Sequence, residues 1–438
     1  METKPSDTQA ARDTLTPHAI RMRRLPAFLL LWSMLGCAAP DSESISEDGF
    51  ENSSENSPES IRIMTFNLQD VRTDDLLRPD HPKLLAAARI LQQLQPDILL
   101  INEIAYDQEG VPGFESGATP GLNGRRFAEN FLAASLGEGL IGLTYRAFMA
   151  PSNTGRASGY DLNHDGRAVT DYPVPNEASK DGTPAPQTDA GRAYGNDNWG
   201  FGTFPGQYAM ALLVRQGHEI LEDEARTFRH FLWKDLPDAE RPVDPETGDF
   251  WYDDEIWSQF PLSSKSHWDV PVRLEHGQVI HVLASHPTPP AFDGPERRNK
   301  LRNRAEILFW NAYVSDESFI VDDAGVSGGL PQGESFVIIG DLNADPDEGS
   351  SVGDPIGSFL LYHPSVNGSV VPRADSSGVA SFPNLDDDDT AEWGLRVDYV
   401  LPSMDLDVVG ASIYRWPKGV ESLVGDHFPV YLDVVVDQ

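Results

Sequence analysis

Cysteine occurs once in the 438 residues, at Cys37, which excludes an intrachain disulfide and any zinc site built from several thiolates. Basic charge is scarce as well: 33 Lys and Arg stand against 69 Asp and Glu, a formal net charge of −36. A protein that grips nucleic acid carries a basic face to neutralise phosphates, so nucleic acid is disfavoured as a general partner, although a local basic strip is compatible with this balance. Long apolar runs are missing too. The most hydrophobic stretch, Leu25 to Leu35, falls well short of the ~20 residues that span a bilayer. The length allows one large domain or two ordinary ones, with a sizeable core in either case.

That short run is nevertheless informative. In MRRLPAFLLLWSMLGC a basic start is followed by an apolar middle and a small residue before Cys37. The pattern resembles a bacterial lipoprotein signal, with residues 1–37 as the signal, Met22 as the expected start and Cys37 as the lipidated mature N-terminus. Residues 38–60, mostly Ser, Glu, Asp and Asn, cannot bury apolar surface and read as a disordered tether. The folded domain is therefore expected over residues 61–438. The expected location is the bacterial cell envelope, outer membrane or surface, held through the lipid alone.

Within that domain, apolar runs repeatedly end on polar residues. IRIMTFNLQ reads as a strand delivering Asn67, and DILLINEI as a second one ending on Glu103. Between them, PKLLAAARILQQLQ places Leu84, Ala88, Leu91 and Leu94 on one helical face, and Pro96 stops it. VIHVLAS leads to His286, LRVDYVLPS carries Asp398, and VGDHFPVYLDVVV carries Asp426 and His427. In VIIGDLNADP, Asp341 and Asn343 lie two positions apart and so point the same way off an extended chain. Each has an ordinary explanation as an Asx turn, an edge carboxylate or a structural histidine. Together they form an oxygen-rich set suited to a hard cation, Mg²⁺ or Mn²⁺, which can activate water and stabilise a phosphoryl transition state.

Residues 107–204 are rich in Gly, Asn, Asp and Pro and read as a loop-rich insertion. Inside it, DLNHDG sets Asp161, Asn163 and Asp165 before Gly166, as in the first half of a calcium loop, but Tyr172 stands where a bidentate Glu belongs. A Ca²⁺ site and a plain Asx-rich turn both account for it. Farther on, Arg297, Arg298, Lys300, Arg302 and Arg304 form a basic cluster at the start of a helix. Two readings stand for it, a solvated helix face and a phosphate-binding surface. Lys265, His267 and Arg273, with Arg297 and Arg298, are candidate phosphate contacts.

The ordered set TFN, INE, SH, GDLN, RVDY and GDH resembles the endonuclease/exonuclease/phosphatase superfamily over roughly Ile61 to Val436. FPGQYAMALL and SHPTPPAFDG resemble a secreted bacterial branch of it. The resemblance implies an α/β (α+β) fold, a four-layer α/β/β/α sandwich of two mixed β-sheets flanked by helices, with the site at one end. It implies a metal-dependent phosphoesterase, and it assigns roles. Glu103, Asn67 and Asp426 would hold metal, Asp341 and Asn343 would position and deprotonate water, and His427 with Asp398 would contact phosphate. His286 would donate to the phosphate or the leaving oxygen. The Gln at position 69 and the long insertion depart from the pattern and leave the substrate open: a phosphodiester, a phosphomonoester, or DNA or RNA. A non-catalytic surface-anchored binding protein that keeps the fold is the alternative of another class. A monomer is expected.

Anchoring at Cys37 is the hypothesis that the signal-like run and the acidic tether generate. Cys37→Ser is expected to move the protein from the membrane fraction to the soluble fraction. Wild-type protein recovered from the cytosol with Met1 intact would overturn it.

Overall fold

The computed structural model describes residues 60–177, 179, 182–417 and 424–435. The signal-like run, Cys37 and the tether as far as residue 59 lie outside the described residues. The strands in chain order are β1 (Ser60–Val71), β2 (Ile98–Ile104), β3 (Tyr145–Phe148), β4 (Met210–Arg215), β5 (Glu219–Ile220), β6 (Arg226–Thr227), β7 (His267–Arg273), β8 (Val279–Ser285), β9 (Phe336–Asp341), β10 (Arg373–Ala374), β11 (Asp398–Pro402), β12 (Val408–Ile413) and β13 (Val430–Val435). They form a seven-stranded sheet in the order β10-β12-β13-β1-β2-β4-β3 and a six-stranded sheet in the order β11-β9-β8-β7-β5, with β6 also on β7. Both sheets are mixed, because β1/β2, β10/β12 and β8/β9 run parallel and the other pairs antiparallel.

Alternation along the strands decides which layer each residue faces. On β9, Val337 and Ile339 enter the core shared by the two sheets, while Ile338 turns the other way and packs in a second cluster with Trp310 and Tyr313 of the helix Arg298–Val314. On β8, Val282 and Ala284 join the first core and Leu283 the second. The helix Pro82–Leu94 covers the seven-stranded sheet with Leu84, Ala88 and Leu91. His81 caps its start by accepting the Leu84 N–H, Pro82 fits the first turn, and Gln95 ends it in a left-handed conformation ahead of Pro96. The order of layers is helix, sheet, sheet, helix, as the resemblance implies. Among the described residues, no helix is long and apolar enough to cross a membrane.

The segment 107–204 is less loop-like than its composition indicates. It contributes the helices Asn123–Phe127 and Asp189–Asn196 and the edge strand β3. Phe127, Phe131, Leu132, Leu143 and Tyr145 are buried in the main core, although glycines and polar residues interrupt any period among them. Tertiary burial overrides the weak local signal there.

Two positions tie the sequence to the packing. Gly340, the last residue before Asp341, has φ +141°, and a Cβ on it would lie 2.0 Å from the Ser285 carbonyl oxygen. His267, at the start of β7, is buried, with Nε2 2.9 Å from the Glu306 carbonyl oxygen and its ring against Phe309 and Trp310. Burial holds its imidazole down at about 4, against the pull of Glu306.

Gly340→Ala is therefore expected to cost more than about 3 kcal/mol, because both backbone and neighbouring strand must shift. Gly277→Ala, also at positive φ but facing open space, should cost only about 1 kcal/mol. Equal urea midpoints for the two variants would contradict this. For His267, the folded pKa lies below the unfolded value near 6.5, so the unfolded chain binds the extra proton as pH falls. Its stabilisation is complete above that value and is lost on the way down to about pH 4. Wild-type protein should lose about 2–3 kcal/mol more than His267→Gln between pH 7 and pH 4.5. Parallel pH profiles in chemical denaturation would refute it.

Candidate active site

Strand register brings the polar strand ends together. In the parallel pair β1/β2, Asn67 lies opposite Asn102, so Glu103 follows beside it. In the antiparallel pair β9/β11, Asp341 lies directly opposite Asp398. His286 comes immediately after β8, next to β9, and His427 precedes β13, which neighbours β1. Asn67, Asp341, Asp398, His286 and His427 are all buried. Glu103, Asp341, Asn343, His286, Asp426, His427 and Lys265 line a cleft of about 680 Å³.

The contacts centre on Asp341. Its Oδ2 accepts from Asn67 Nδ2 at 3.0 Å and lies 3.5 Å from His286 Nε2 and 3.7 Å from His427 Nε2. Its Oδ1 accepts the Asn343 N–H at 3.0 Å. His427 Nδ1 is 2.8 Å from Asp398 Oδ2, which fixes the ring and turns Nε2 toward Asp341. Trp393 packs edge-on against the same ring. Glu103 is held by Asn67 Nδ2 at 3.2 Å and by the Asp70 N–H at 3.0 Å.

Charge follows from this geometry. Burial disfavours a charged His427, but Asp398 and Asp341 outweigh it and push the imidazole up to about 10, so the ring is cationic at neutral pH. Burial lifts Asp341 to about 7; His427 pulls it down, while Asp398 and Glu103 push it further up. Burial likewise raises Glu103 in spite of His427 and Asn67. His286 is held well below the usual imidazole range by burial, with Lys265 and His427 adding to the effect, and is neutral.

Other expectations are placed differently. Asn67 turns its amide nitrogen, not its oxygen, to the carboxylates, because the oxygen accepts the Gln69 N–H at 2.8 Å. In this arrangement its amide nitrogen spaces the two acids. His267 is a core residue whose ring nitrogen is used on Glu306, so it does not reach the cleft. Arg273 pairs with Glu219 at the far end of β7. Within the Arg297 to Arg304 cluster, Arg302 is buried, Arg298, Lys300 and Arg304 are half-buried and Arg297 is exposed. Arg302 donates to the Leu262 and Pro261 carbonyls, Arg304 stacks over Phe359, Arg298 donates to the Leu162 carbonyl, and Arg297 caps the helix in a left-handed conformation outside the cleft. In the 161–165 loop, both Asp161 oxygens, Asn163 Oδ1 and Asp165 Oδ1 accept backbone N–H groups of Asp165, Gly166 and Arg167, the bonding of an Asx-rich turn.

Asp70 was not among the expected site residues. Gln69 and Asp70 both adopt positive φ, where the β1/β2 register shifts, and this bulge brings Asp70 to the cleft wall. An acid is thus present one residue after the Gln that departs from the family pattern. Asp70 is paired with Arg72 at 2.7 Å and accepts from Gln207 at 2.9 Å. Lys83, also unforeseen, reaches the Gln69 carbonyl from the helix Pro82–Leu94. The only sequence cue to either was the acid after TFNLQ.

Oxygen and imidazole atoms of Glu103, His286 and Asp341 lie within 4.8 Å of one another, as do those of Asp341, Asp398 and His427. The first group fits a hard divalent cation: Asp341 is buried and Glu103 half-buried, desolvation raises both carboxyls, and a cation is the partner that removes that cost.

No curated protein matches the chain by sequence. Among solved structures, it is similar to an endonuclease/exonuclease/phosphatase from Beutenbergia cavernae (15% identity, 86% of this chain and 72% of that one, TM-score 0.43). It is similar also to the human Nocturnin catalytic domain with bound sulfate anion (14%, 86% and 93%, 0.40) and to TDP2 from Caenorhabditis elegans (13%, 86% and 75%, 0.39). The family model described as "Endonuclease/Exonuclease/phosphatase family" matches residues 64–427, a span that takes in every strand-end residue from Asn67 to His427. The chain belongs to that family, whose members are hydrolases acting on phosphoester bonds.

Proposed function

We propose that the protein is a divalent-metal-dependent phosphoesterase in which activated water attacks phosphorus directly, with no covalent enzyme intermediate. The observation that carries this reading is the Asp398–His427–Asp341 chain beside Glu103 at the base of one cleft. Asp341 Oδ2 is the acceptor for the water proton, since it lies among Asn67, His286 and His427 at the base of the cleft. His427, kept charged by Asp398, offers Nε2–H to phosphoryl oxygens as negative charge develops on them. Asn343 is fixed by its bonds to Asp341 and to the Pro287 carbonyl, and lines the same cleft. Glu103, Asp341 and His286 are the groups that would hold Mg²⁺ or Mn²⁺. The cation would supply Lewis-acid polarisation and neutralise charge in the transition state.

A compact phosphoester is favoured over a nucleic-acid polymer, because Arg302 and Arg304 of the basic cluster are used on internal carbonyls and a ring, which leaves too few cations for a continuous backbone track. The acidic balance points the same way. Export and anchoring at Cys37 complete the proposal.

Asp341→Asn and His427→Ala are each expected to lower turnover of p-nitrophenyl phosphate or its bis-ester by about a hundredfold or more, with circular dichroism unchanged. Glu103→Ala should lose both Mg²⁺-stimulated turnover and the calorimetric signal of Mn²⁺ binding. Losses in double variants should fall short of the multiplied single losses, because these groups act together. In ¹⁸O-labelled water, label should enter the phosphate product within a single turnover. An unlabelled first-turnover product, or full activity with chelator present, would remove this mechanism.

A further inference from the structure

A second cavity of about 450 Å³ adjoins the catalytic cleft, and the two share Gln187, Phe201, Lys265, Pro289 and Phe292 along their common wall. Its lining contains four cationic residues, Arg192, Lys265, Arg298 and Arg302, and not one carboxylate. In a chain of net charge −36 that asymmetry is itself informative. The acids that balance these cations are not part of the lining. Glu306 is buried, with its two oxygens on the Ser264 and Thr288 N–H groups, Glu296 lies 3.4 Å from Arg298 Nε, and Asp189 pairs with Arg192 on the outer helix. A ligand entering the cavity would therefore meet the cations first.

The wall is also short of partners. Ser264 Oγ, Thr288 Oγ1 and Asn198 Oδ1 belong to lining residues, are buried, and have no hydrogen-bond partner. Leaving a buried polar group unpaired is costly, and such groups recur where a ligand supplies the missing bond. Two of these, Ser264 and Thr288, flank Lys265 and His286, whose side chains line the catalytic cleft. Arg192 and Asn198 come from the segment 107–204, so this chamber is built by the chain's own insertion against the start of the helix Arg298–Val314.

We propose that this chamber is the subsite for a second anionic group of the substrate, so that the preferred substrate is a small phosphoester carrying another phosphate on the same molecule. This rests on the phosphoesterase reading of the neighbouring cleft. One phosphate lies in the cleft with Asp341 and His427, and the other is received by Arg192, Arg298 and Lys265. Lys265, on the shared wall, faces both. A polymer has no need of a separate cationic pocket beside its scissile phosphate, whereas a compact molecule with two phosphates fills both chambers.

Two measurements separate this inference from the reading it rests on. In calorimetry of the full chain with inorganic phosphate, two sites per chain are expected. The weakening of one site in Arg192→Gln, with recovery in Arg192→Lys, would assign it to the chamber. Arg298→Gln should weaken the same site. In turnover, a series of short alkanediol bisphosphates should be cleaved with a kcat/KM about tenfold or more above that of the matching monophosphates, the gain lying mainly in KM. Arg192→Gln should erase that preference while monophosphate turnover stays within about twofold of wild type. A single phosphate site in the wild type overturns the subsite, and so does a bisphosphate preference that is absent or unmoved by both substitutions. Faster cleavage of a DNA oligonucleotide than of any bisphosphate would overturn it in favour of a polymer. If two phosphate sites are found and neither series is cleaved, the subsite stands and the phosphoesterase reading falls.

Discussion

Two carboxylates placed opposite one another on neighbouring strands, Asp341 and Asp398, need a positive charge between them, and the His427 imidazolium supplies it. Without that ring the pairing of β9 and β11 would bury two like charges face to face, at a cost no strand ladder offsets. The dependence runs both ways. A ring this deeply buried stays protonated only because both acids face it. The chemistry attributed to the site is thus the same interaction that makes the register tolerable. His427 arrives from the other sheet's side of the chain, just ahead of β13, so the charge balance is complete only when the two sheets are docked.

Backbone strain gathers at the same place. Gln69, Asp70, Glu103 and Asn343 all hold positive φ without being glycine, and Gly340 and Gly425 adopt values near +140°. Such conformations persist where the surroundings over-determine them. Here the surroundings are β1, β2 and β9, strands buried on both faces and fixed by parallel and antiparallel partners on each side. The rigid sheets absorb the strain, and the short left-handed steps at their ends turn Glu103, Asp70 and Asn343 into the cleft.

What could be read in the sequence and what could not divide along range. A polar residue at the tip of an apolar run is a local signal, and Asn67, Glu103, His286, Asp341, Asn343, Asp398 and His427 were all visible that way. Their convergence was carried by the ordered motifs together, since no single run reveals its neighbours in the sheet. The direction of the Asn67 amide depends on a bulge two residues on, which no periodicity marks. His267 alternates like any strand residue, and only the helix stacked over it shows that it faces the core. The Arg297 to Arg304 cluster looked exposed because charge in sequence carries no record of the carbonyls and rings that will meet it. The segment 107–204 hid a strand and two helices because its large apolar residues are far apart and interrupted by glycine.

The pairing of β1 with β13 carries a consequence for synthesis. The first and last described strands lie side by side in register, Ser60 against Val435, and Arg62 is bound to Asp433 by both guanidinium nitrogens facing it. The centre of the seven-stranded sheet therefore stays open on one side until the final strand has left the ribosome. Contacts so distant along the chain slow folding, and a strand edge left waiting is exposed to wrong partners. A chain of this kind cannot close that sheet, or bring His427 beside Asp341, before β13 has been made.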